Sequence, residues 1–218
     1  MKLIGLLFAG LITASAAFAG PAMEEGKQYE RLAQPQPVTT DDKIEVIEFF
    51  WYGCPHCYHL EPDLVAWLKT KPDDVTFIRI PAVLGPAWEL LARGYYTADV
   101  LGVVDKIHEP LFDYLHKERK QIKDENDLRA FFGSHGVSAA DFDKAYNSFA
   151  VITKTNRAKQ ASELYGIDGV PSLVVDGKFR TSMGMAVSNN TQPMQVVDFL
   201  IAQERGSKSP QKQTATAH

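Results

Sequence analysis

Residues 44–57 read IEVIEFFWYGCPHC and contain the clearest structural signal in the chain. The run from Ile44 to Tyr52 is mostly β-branched or aromatic, which is typical of a strand buried on both faces. Gly53 ends that run, and apolar residues then recur at helical spacing as far as Leu68. Pro62 lies inside this pattern and predicts a kink in the helix. The chain therefore passes directly from a buried strand into a helix, with both of its cysteines at the junction.

A second strand and a long helical block follow. Val75 to Ile80 (VTFIRI) is predicted to be a strand, so the first part of the chain reads strand, helix, strand. From about Gly85 to Lys154, apolar residues recur every three or four positions without a strand pattern. Ser138 and Asp141 resemble a capping box that opens one of these helices. The block predicts a small all-helical domain inserted into an α/β domain.

The remaining sequence returns to alternating helices and strands. Helices are predicted for Thr155 to Tyr165 and for Gln192 to Arg205. Between them, Ser172 to Val175 and Lys178 to Thr181 form a predicted hairpin around Asp176-Gly177, a turn signal. The hairpin supplies antiparallel pairing and the first strand pair supplies parallel pairing. We therefore expect an α/β fold with a mixed central sheet.

The predicted organisation is an α/β domain in two parts that flank the helical insertion. The segments are 20–84 for the first part, 85–154 for the insertion, 155–205 for the second part and 206–218 for a polar tail. The tail has no apolar pattern and is predicted to be disordered.

The first 19 residues have the features of a secretory signal peptide. Lys2 precedes an apolar run from Leu3 that ends in Ala17-Phe18-Ala19, which predicts cleavage after Ala19. An uncleaved membrane anchor is the alternative, but the run is barely long enough and becomes small and Ala-rich. The mature protein is therefore expected to be exported.

Charge and cysteine content exclude several classes of protein. The net charge of −4, without a basic block, argues against nucleic acid as a partner. Only two cysteines are present, and a disulfide between Cys54 and Cys57 would close too short a loop to stabilise the fold much. A zinc site lacks ligands, with only His56 and His59 nearby. A c-type haem site would need a histidine where Tyr58 stands.

The spacing of the two cysteines instead favours redox chemistry. Cys-x-x-Cys beside a βαβ pattern is a redox motif. Cys54 is expected at the N-terminus of a helix, where unpaired backbone N–H groups and the helix dipole stabilise a thiolate. His56 can add a hydrogen-bond donor or a positive charge, and Pro55 suits an early helical position. Cys57 is expected in the first turn, within disulfide reach.

Glu48 is unusual because it falls inside the predicted buried strand. A buried carboxylate is costly, and one that persists often transfers protons. The alternative is that Glu48 lies at a strand end and reaches solvent. Glu45 is nearer the strand start and is expected to be exposed. Three histidines in the helical block are read as ordinary surface or hydrogen-bonded side chains, namely His108, His116 and His135.

Three segments together resemble the DsbA family of the thioredoxin superfamily. They are Ile47-Glu48-Phe49-Phe50 leading into Cys54-Pro55-His56-Cys57-Tyr58, Gly26-Lys27-Gln28-Tyr29, and Gly169-Val170-Pro171-Ser172. The similarity runs over nearly the whole chain after the signal. The sequence departs from the best-known members at Trp51-Tyr52-Gly53 and in the loop from Pro81 to Pro86.

The resemblance implies a thioredoxin fold and a role for each site residue. Cys54 would be the exposed nucleophile and Cys57 the buried resolving thiol. Pro171 would be cis and face the disulfide, and Val170 would offer backbone hydrogen bonds to an extended substrate. Glu48 would be a buried carboxylate that transfers protons at Cys57.

The resemblance also implies the activity. The enzyme would be a monomer in the periplasm that donates its disulfide to reduced, unfolded exported proteins. A quinone-linked membrane partner of the DsbB type would reoxidise it, without a metal or a dissociable cofactor. A reductase or isomerase of the same fold, a chaperone without redox chemistry and a metal-binding protein are the rival hypotheses. The direction of electron flow rests on the resemblance alone.

Overall fold

The structure is a computed structural model that describes residues 23–39 and 42–208. Its strands are β1 (Glu30–Arg31), β2 (Ile44–Phe50), β3 (Val75–Pro81), β4 (Ser172–Val175) and β5 (Phe179–Ser182). Its helices are α1 (Pro55–Leu68), α2 (Pro86–Val100), α3 (Val104–His116), α4 (Glu125–Ser134), α5 (Ala139–Tyr146), α6 (Phe149–Leu164), α7 (Met183–Ser188) and α8 (Pro193–Lys208).

The five strands form one mixed sheet in the order β1-β5-β4-β2-β3. The pair β2–β3 is parallel, and the pairs β2–β4, β4–β5 and β1–β5 are antiparallel. Every residue of β2 is buried. Because helices cover both of its faces, apolar residues occupy both faces of the strand apart from Glu45 and Glu48. The predicted α/β class and mixed sheet are confirmed.

The insertion consists of α2 to α5, which follow one another between β3 and α6. Its apolar core contains Leu111, Leu128, Phe132 and Phe142, all fully buried. The same cluster includes Phe50 of β2 and both cysteines, so the insertion packs directly against the strand-to-helix junction. Helix α6 crosses the predicted boundary between residues 154 and 155, so one continuous helix joins the insertion to the α/β part.

Local capping and turn signals behave as expected. Ser138 caps α5 by accepting a hydrogen bond from the backbone N–H of Asp141 at 3.1 Å. Asp176 and Gly177 have positive φ angles, 51° and 62°, and are the central residues of a turn in which the N–H of Lys178 donates to the carbonyl oxygen of Val175 at 3.0 Å. A Cβ on Gly177 would lie 2.2 Å from the carbonyl oxygen of Gln36. Glycine is therefore needed at this position for its φ angle and for space.

Several expectations from the sequence need correction. Glu45 is buried, not exposed, because its carboxylate accepts hydrogen bonds from the backbone N–H and the hydroxyl of Thr39. Strand β1 and helix α7 were not visible as patterns, since both are short. Helix α8 continues through Lys208, past the predicted start of the tail at 206.

Two predictions concern the ends of the chain. The signal peptide of residues 1–19 and the tail residues 209–218 lie outside the described part of the chain. Among the residues described, no helix is both long and apolar enough to span a bilayer.

Candidate active site

The two cysteines lie at the start of α1. Cys54 is the N-cap residue with extended backbone angles, Pro55 begins the helix, and Cys57 lies in its first turn. This is the predicted placement, and it follows from the turn at Gly53, after β2, and from the proline that suits the first helical position. Both cysteines are free thiols, so the structure represents the reduced state.

The two thiols differ in their access to solvent. Cys57 is completely buried, whereas 8% of Cys54 is exposed. Cys54 is thus the more accessible of the two, although it lies deeper than the exposed nucleophile that the resemblance implies. A reacting partner can reach only the Cys54 sulfur from solvent without rearrangement of the site.

The environment of Cys54 favours its thiolate and lowers its pKa to about 6. The main cause is a hydrogen bond from the thiol of Cys57, and the backbone N–H groups of Cys57 and His56 add to it. The charge of His56 also lowers the pKa of Cys54, whereas burial raises it. These donors point at the sulfur because Cys54 occupies the N-terminus of a helix. Most Cys54 side chains are therefore ionised at neutral pH.

The pKa of Cys57 is shifted upwards, in the opposite direction to that of Cys54. Burial raises the pKa of its thiol far above the usual range, and its hydrogen bond to Cys54 and the charges of Cys54 and Glu48 raise it further. Cys57 therefore keeps its proton in the reduced state. Any reaction that makes Cys57 a leaving group must supply it with that proton.

Glu48 lies in strand β2, and its charge acts on Cys57. Only 1% of the residue is exposed, so the alternative that it reaches solvent at a strand end is wrong. Burial raises its pKa to about 7, the charge of Arg79 acts against this, and Glu61 adds to the rise. Arg79 is its register partner on β3, with Nε 3.4 Å from Oε2 of Glu48. A carboxyl group with this pKa can both donate and accept a proton near neutral pH.

The loop before β4 lies against Cys54. The Val170–Pro171 peptide bond is cis, as the resemblance implies. The Cys54 sulfur lies 3.3 Å from the carbonyl oxygen of Val170, to which the protonated thiol can donate a hydrogen bond. More than a hundred residues separate these two positions in the chain, so composition and periodicity could not bring them together.

A cavity of about 520 Å³ opens beside this contact. Its lining combines the active-site histidine with the loop before β4 and with apolar side chains of α7, and it includes His56, Val170, Pro171, Met183, Met185 and Val187. Such a surface suits an extended apolar segment of another polypeptide.

The segment Trp51-Tyr52-Gly53, where the sequence departs from well-known family members, is held by the insertion. Trp51 stacks on Trp88 of α2, with ring centroids 4.4 Å apart. The ring of Trp51 lies so close to Gly53 that a Cβ there would be 2.4 Å from it. His116 of α3 lies 2.7 Å from the carbonyl oxygen of Tyr52, within hydrogen-bond distance. A glycine before Cys54 therefore leaves room for the tryptophan pair.

Sequence reasoning missed three further members of the site. Glu61 of α1 and His108 of α3 are buried, and Arg79 of β3, which contacts both of them and Glu48, has a side chain that is 10% exposed. The one available signal was the charge of Arg79 within an otherwise apolar strand. His108 could not be distinguished by pattern from an ordinary helix histidine.

The same architecture occurs in known proteins. The family described as the DSBA-like thioredoxin domain matches residues 45–198. The chain is 41% identical to the thiol:disulfide interchange protein DsbA of Pseudomonas syringae pv. tomato, over 95% of this chain and 96% of that protein.

The chain belongs to the DsbA family.

Solved DsbA structures agree in fold. The crystal structure of Pseudomonas aeruginosa DsbA has a TM-score of 0.79 and 38% identity, covering 85% of this chain and 96% of that one. DsbA from Xylella fastidiosa has a TM-score of 0.76 and 29% identity, covering 84% and 98%. The fold is thus the thioredoxin-like fold of DsbA, and the DsbA-family chain described here is a protein disulfide oxidoreductase.

Proposed function

We propose that this DsbA-family enzyme is a periplasmic dithiol oxidase that donates the Cys54–Cys57 disulfide to reduced, unfolded exported proteins. The observation that carries the proposal is the opposite behaviour of the two thiols. Cys54 is an ionised thiol with a pKa of about 6, and Cys57 is a buried thiol that keeps its proton.

In the first step, a substrate thiolate attacks the Cys54 sulfur of the enzyme disulfide. The Cys54–Cys57 bond breaks, a mixed disulfide forms at Cys54, and the electron pair leaves with Cys57. Because burial disfavours a Cys57 thiolate, the leaving sulfur needs a proton. We propose that Glu48 donates this proton. Its carboxyl group has a pKa of about 7, and its charge acts on Cys57.

In the second step, another substrate thiolate attacks the substrate sulfur of the mixed disulfide. Cys54 leaves as a thiolate, and a low pKa makes it a good leaving group. The substrate has then lost two electrons and gained a disulfide, and the enzyme is a dithiol. The stable Cys54 thiolate favours the reduced enzyme, so the oxidised enzyme tends to give its disulfide away.

The substrate is proposed to bind as an extended strand along the loop that contains Val170 and Pro171. The backbone of Val170 lies beside the Cys54 sulfur, so hydrogen bonds to it would hold a substrate cysteine at the reacting atom. We assign Pro55 and His56 to the tuning of the Cys54 pKa. Pro55 begins the helix that Cys54 caps, and the charge of His56 favours the thiolate.

The remaining parts of the cycle follow from the family. We propose reoxidation by a quinone-linked membrane protein of the DsbB type, action as a monomer, and no metal or dissociable cofactor. The secretory signal predicted for residues 1–19, with cleavage after Ala19, supports export to the periplasm.

The equilibrium of the purified enzyme with reduced and oxidised glutathione tests the direction of transfer. We expect the dithiol form to predominate even in mostly oxidised glutathione, because the Cys54 thiolate is stabilised. Quantification of free thiols after acid quenching measures the ratio. An enzyme that remains a disulfide under reducing conditions would be a reductase, and the oxidase proposal would fall.

A further inference from the structure

Behind Glu48, a buried polar network joins the α/β part to the helical insertion. Arg79 occupies its centre. Its Nη2 donates to Oε1 of Glu61 at 2.6 Å, and its Nε lies 3.4 Å from Oε2 of Glu48. Its Nη1 donates to Nε2 of His108, on the insertion helix α3. The guanidinium is thus in contact with three side chains, and one of them, His108, belongs to the insertion.

The hydrogen bonds assign the state of His108. An arginine N–H can only donate, so Nε2 of His108 must accept and the ring proton must lie on Nδ1. Nδ1 is 2.8 Å from the hydroxyl of Tyr52, which it can therefore reach as a donor. Burial, with the charge of Arg79, holds the pKa of His108 well below its usual value. The ring is neutral in this position.

Aromatic side chains fix the ring in place. The ring centroids of Phe50, Tyr52 and Phe112 each lie 5.2 Å from the centroid of the His108 ring. Tyr95 of α2 lies at 6.0 Å. The residue is only 7% exposed. Such packing leaves little freedom for the imidazole, so it is a rigid acceptor for Arg79.

A cavity beside the network offers the Arg79 side chain other acidic partners. A cavity of about 380 Å³ opens over Arg79, His108 and Glu61, and it is also lined by Asp105 and Glu109. Both of these acidic residues are exposed. Their charges would attract a guanidinium that lost its inner acceptor, and that movement would take the positive charge away from Glu48.

We propose that His108 is a positioning residue for thiol–disulfide exchange, which holds Arg79 beside Glu48 from across the boundary between the insertion and the sheet. The proposal rests on the proton-transfer role proposed above for Glu48. The groups that face His108 are Tyr52 after β2, Glu61 of α1, Arg79 of β3 and Tyr95 of α2.

The test is the titration of the Glu48 carboxyl group by carbon-13 NMR in the full-length, reduced protein, with the resonance assigned from Glu48→Gln. In His108→Phe the ring shape is kept and the acceptor is lost. We expect the midpoint to rise by on the order of one pH unit, since a positive charge within a few ångströms lowers a carboxyl pKa by that amount or more. His108→Gln keeps an acceptor and a donor, so its Glu48 midpoint should stay close to that of the unaltered protein.

His135→Phe is the matched control, because this histidine directly after α4 contacts Phe131 and Ser134, which lie outside the network. Equal Glu48 midpoints in the His108→Phe and His135→Phe variants would overturn the proposal. So would a His108→Gln variant that behaves like His108→Phe.

A measurement on the unaltered protein avoids any folding defect of the variants. Nitrogen-15 NMR should show His108 neutral with its proton on Nδ1 at every pH at which the protein stays folded. Protonation of His108 near the usual histidine pKa would sink the proposal. If the Glu48 midpoint shifts as expected but Glu48→Gln leaves exchange rates unchanged, the positioning role of His108 stands and the proton-transfer role of Glu48 falls.

Discussion

Cys54 and Cys57 carry the same side chain three positions apart, yet their pKa values move in opposite directions. The difference comes from a few atoms. Cys54 caps the helix and receives hydrogen bonds, whereas Cys57 is buried and donates one. The largest single cause at Cys54 is the thiol of Cys57 itself. Each cysteine therefore helps to set the acidity of the other.

Substitution of Cys57 should accordingly change the titration of Cys54. Cys57→Ala removes the donor, so the pKa of Cys54 should rise above about 6. Cys57→Ser keeps a hydroxyl donor and should change it less. The ultraviolet absorbance of the thiolate against pH gives both values. Identical titrations of the two variants would show that the helix start, and not the Cys57 thiol, dominates.

At the scale of an element, the hairpin β4–β5 shows how a short turn controls the site. It carries the loop of Val170 and Pro171 at one end and is closed at the other by Asp176 and Gly177. The turn also touches the segment before β2, through the contact of Gly177 with the backbone of Gln36.

Gly177→Ala should therefore destabilise the fold by about 2 kcal/mol or more, from left-handed strain and a clash with backbone that has little room to move. Gly133→Ala is the control. This helical glycine of α4 has open space around its Cβ position, so the same change should stabilise by about 0.5–1 kcal/mol. Chemical denaturation measures both free energies. Equal effects at the two sites would refute the argument from the turn.

For the whole molecule, the low pKa of Cys54 links stability to redox state. In the folded protein this pKa is about 6, against about 9 for an unperturbed thiol. A lowered pKa adds stability that is fully present above pH 9 and is lost as the pH falls through 6. Only the reduced enzyme has this thiol, so only the reduced enzyme gains from it.

The stability difference between the reduced and oxidised forms should therefore grow in favour of the reduced form as the pH rises from about 6 to about 9. Glu48 is present in both forms, so to a first approximation its titration cancels from the difference. Denaturation of each form over this range checks the expectation. A difference that stays constant with pH would contradict it.

The reactive motif and most of the longer elements can be read from the local sequence. The apolar run of β2, the glycine that ends it and the helical spacing that follows act over a few residues, so they are readable without the fold. The same holds for the caps and for the Asp176-Gly177 turn. The position of Cys54 at a helix start also follows from local pattern, as does the reactivity expected there.

The residues that surround the dithiol depend on tertiary packing. Val170 meets Cys54 because β4 pairs with β2, and Arg79 meets Glu48 because β3 is in parallel register with it. His108 reaches Arg79 from an inserted helix. Burial likewise could not be read from the strand pattern, because Glu45 and Glu48 look alike there and both are buried. Burial and long-range pairing depend on every packed element together, and no local window of sequence contains that information.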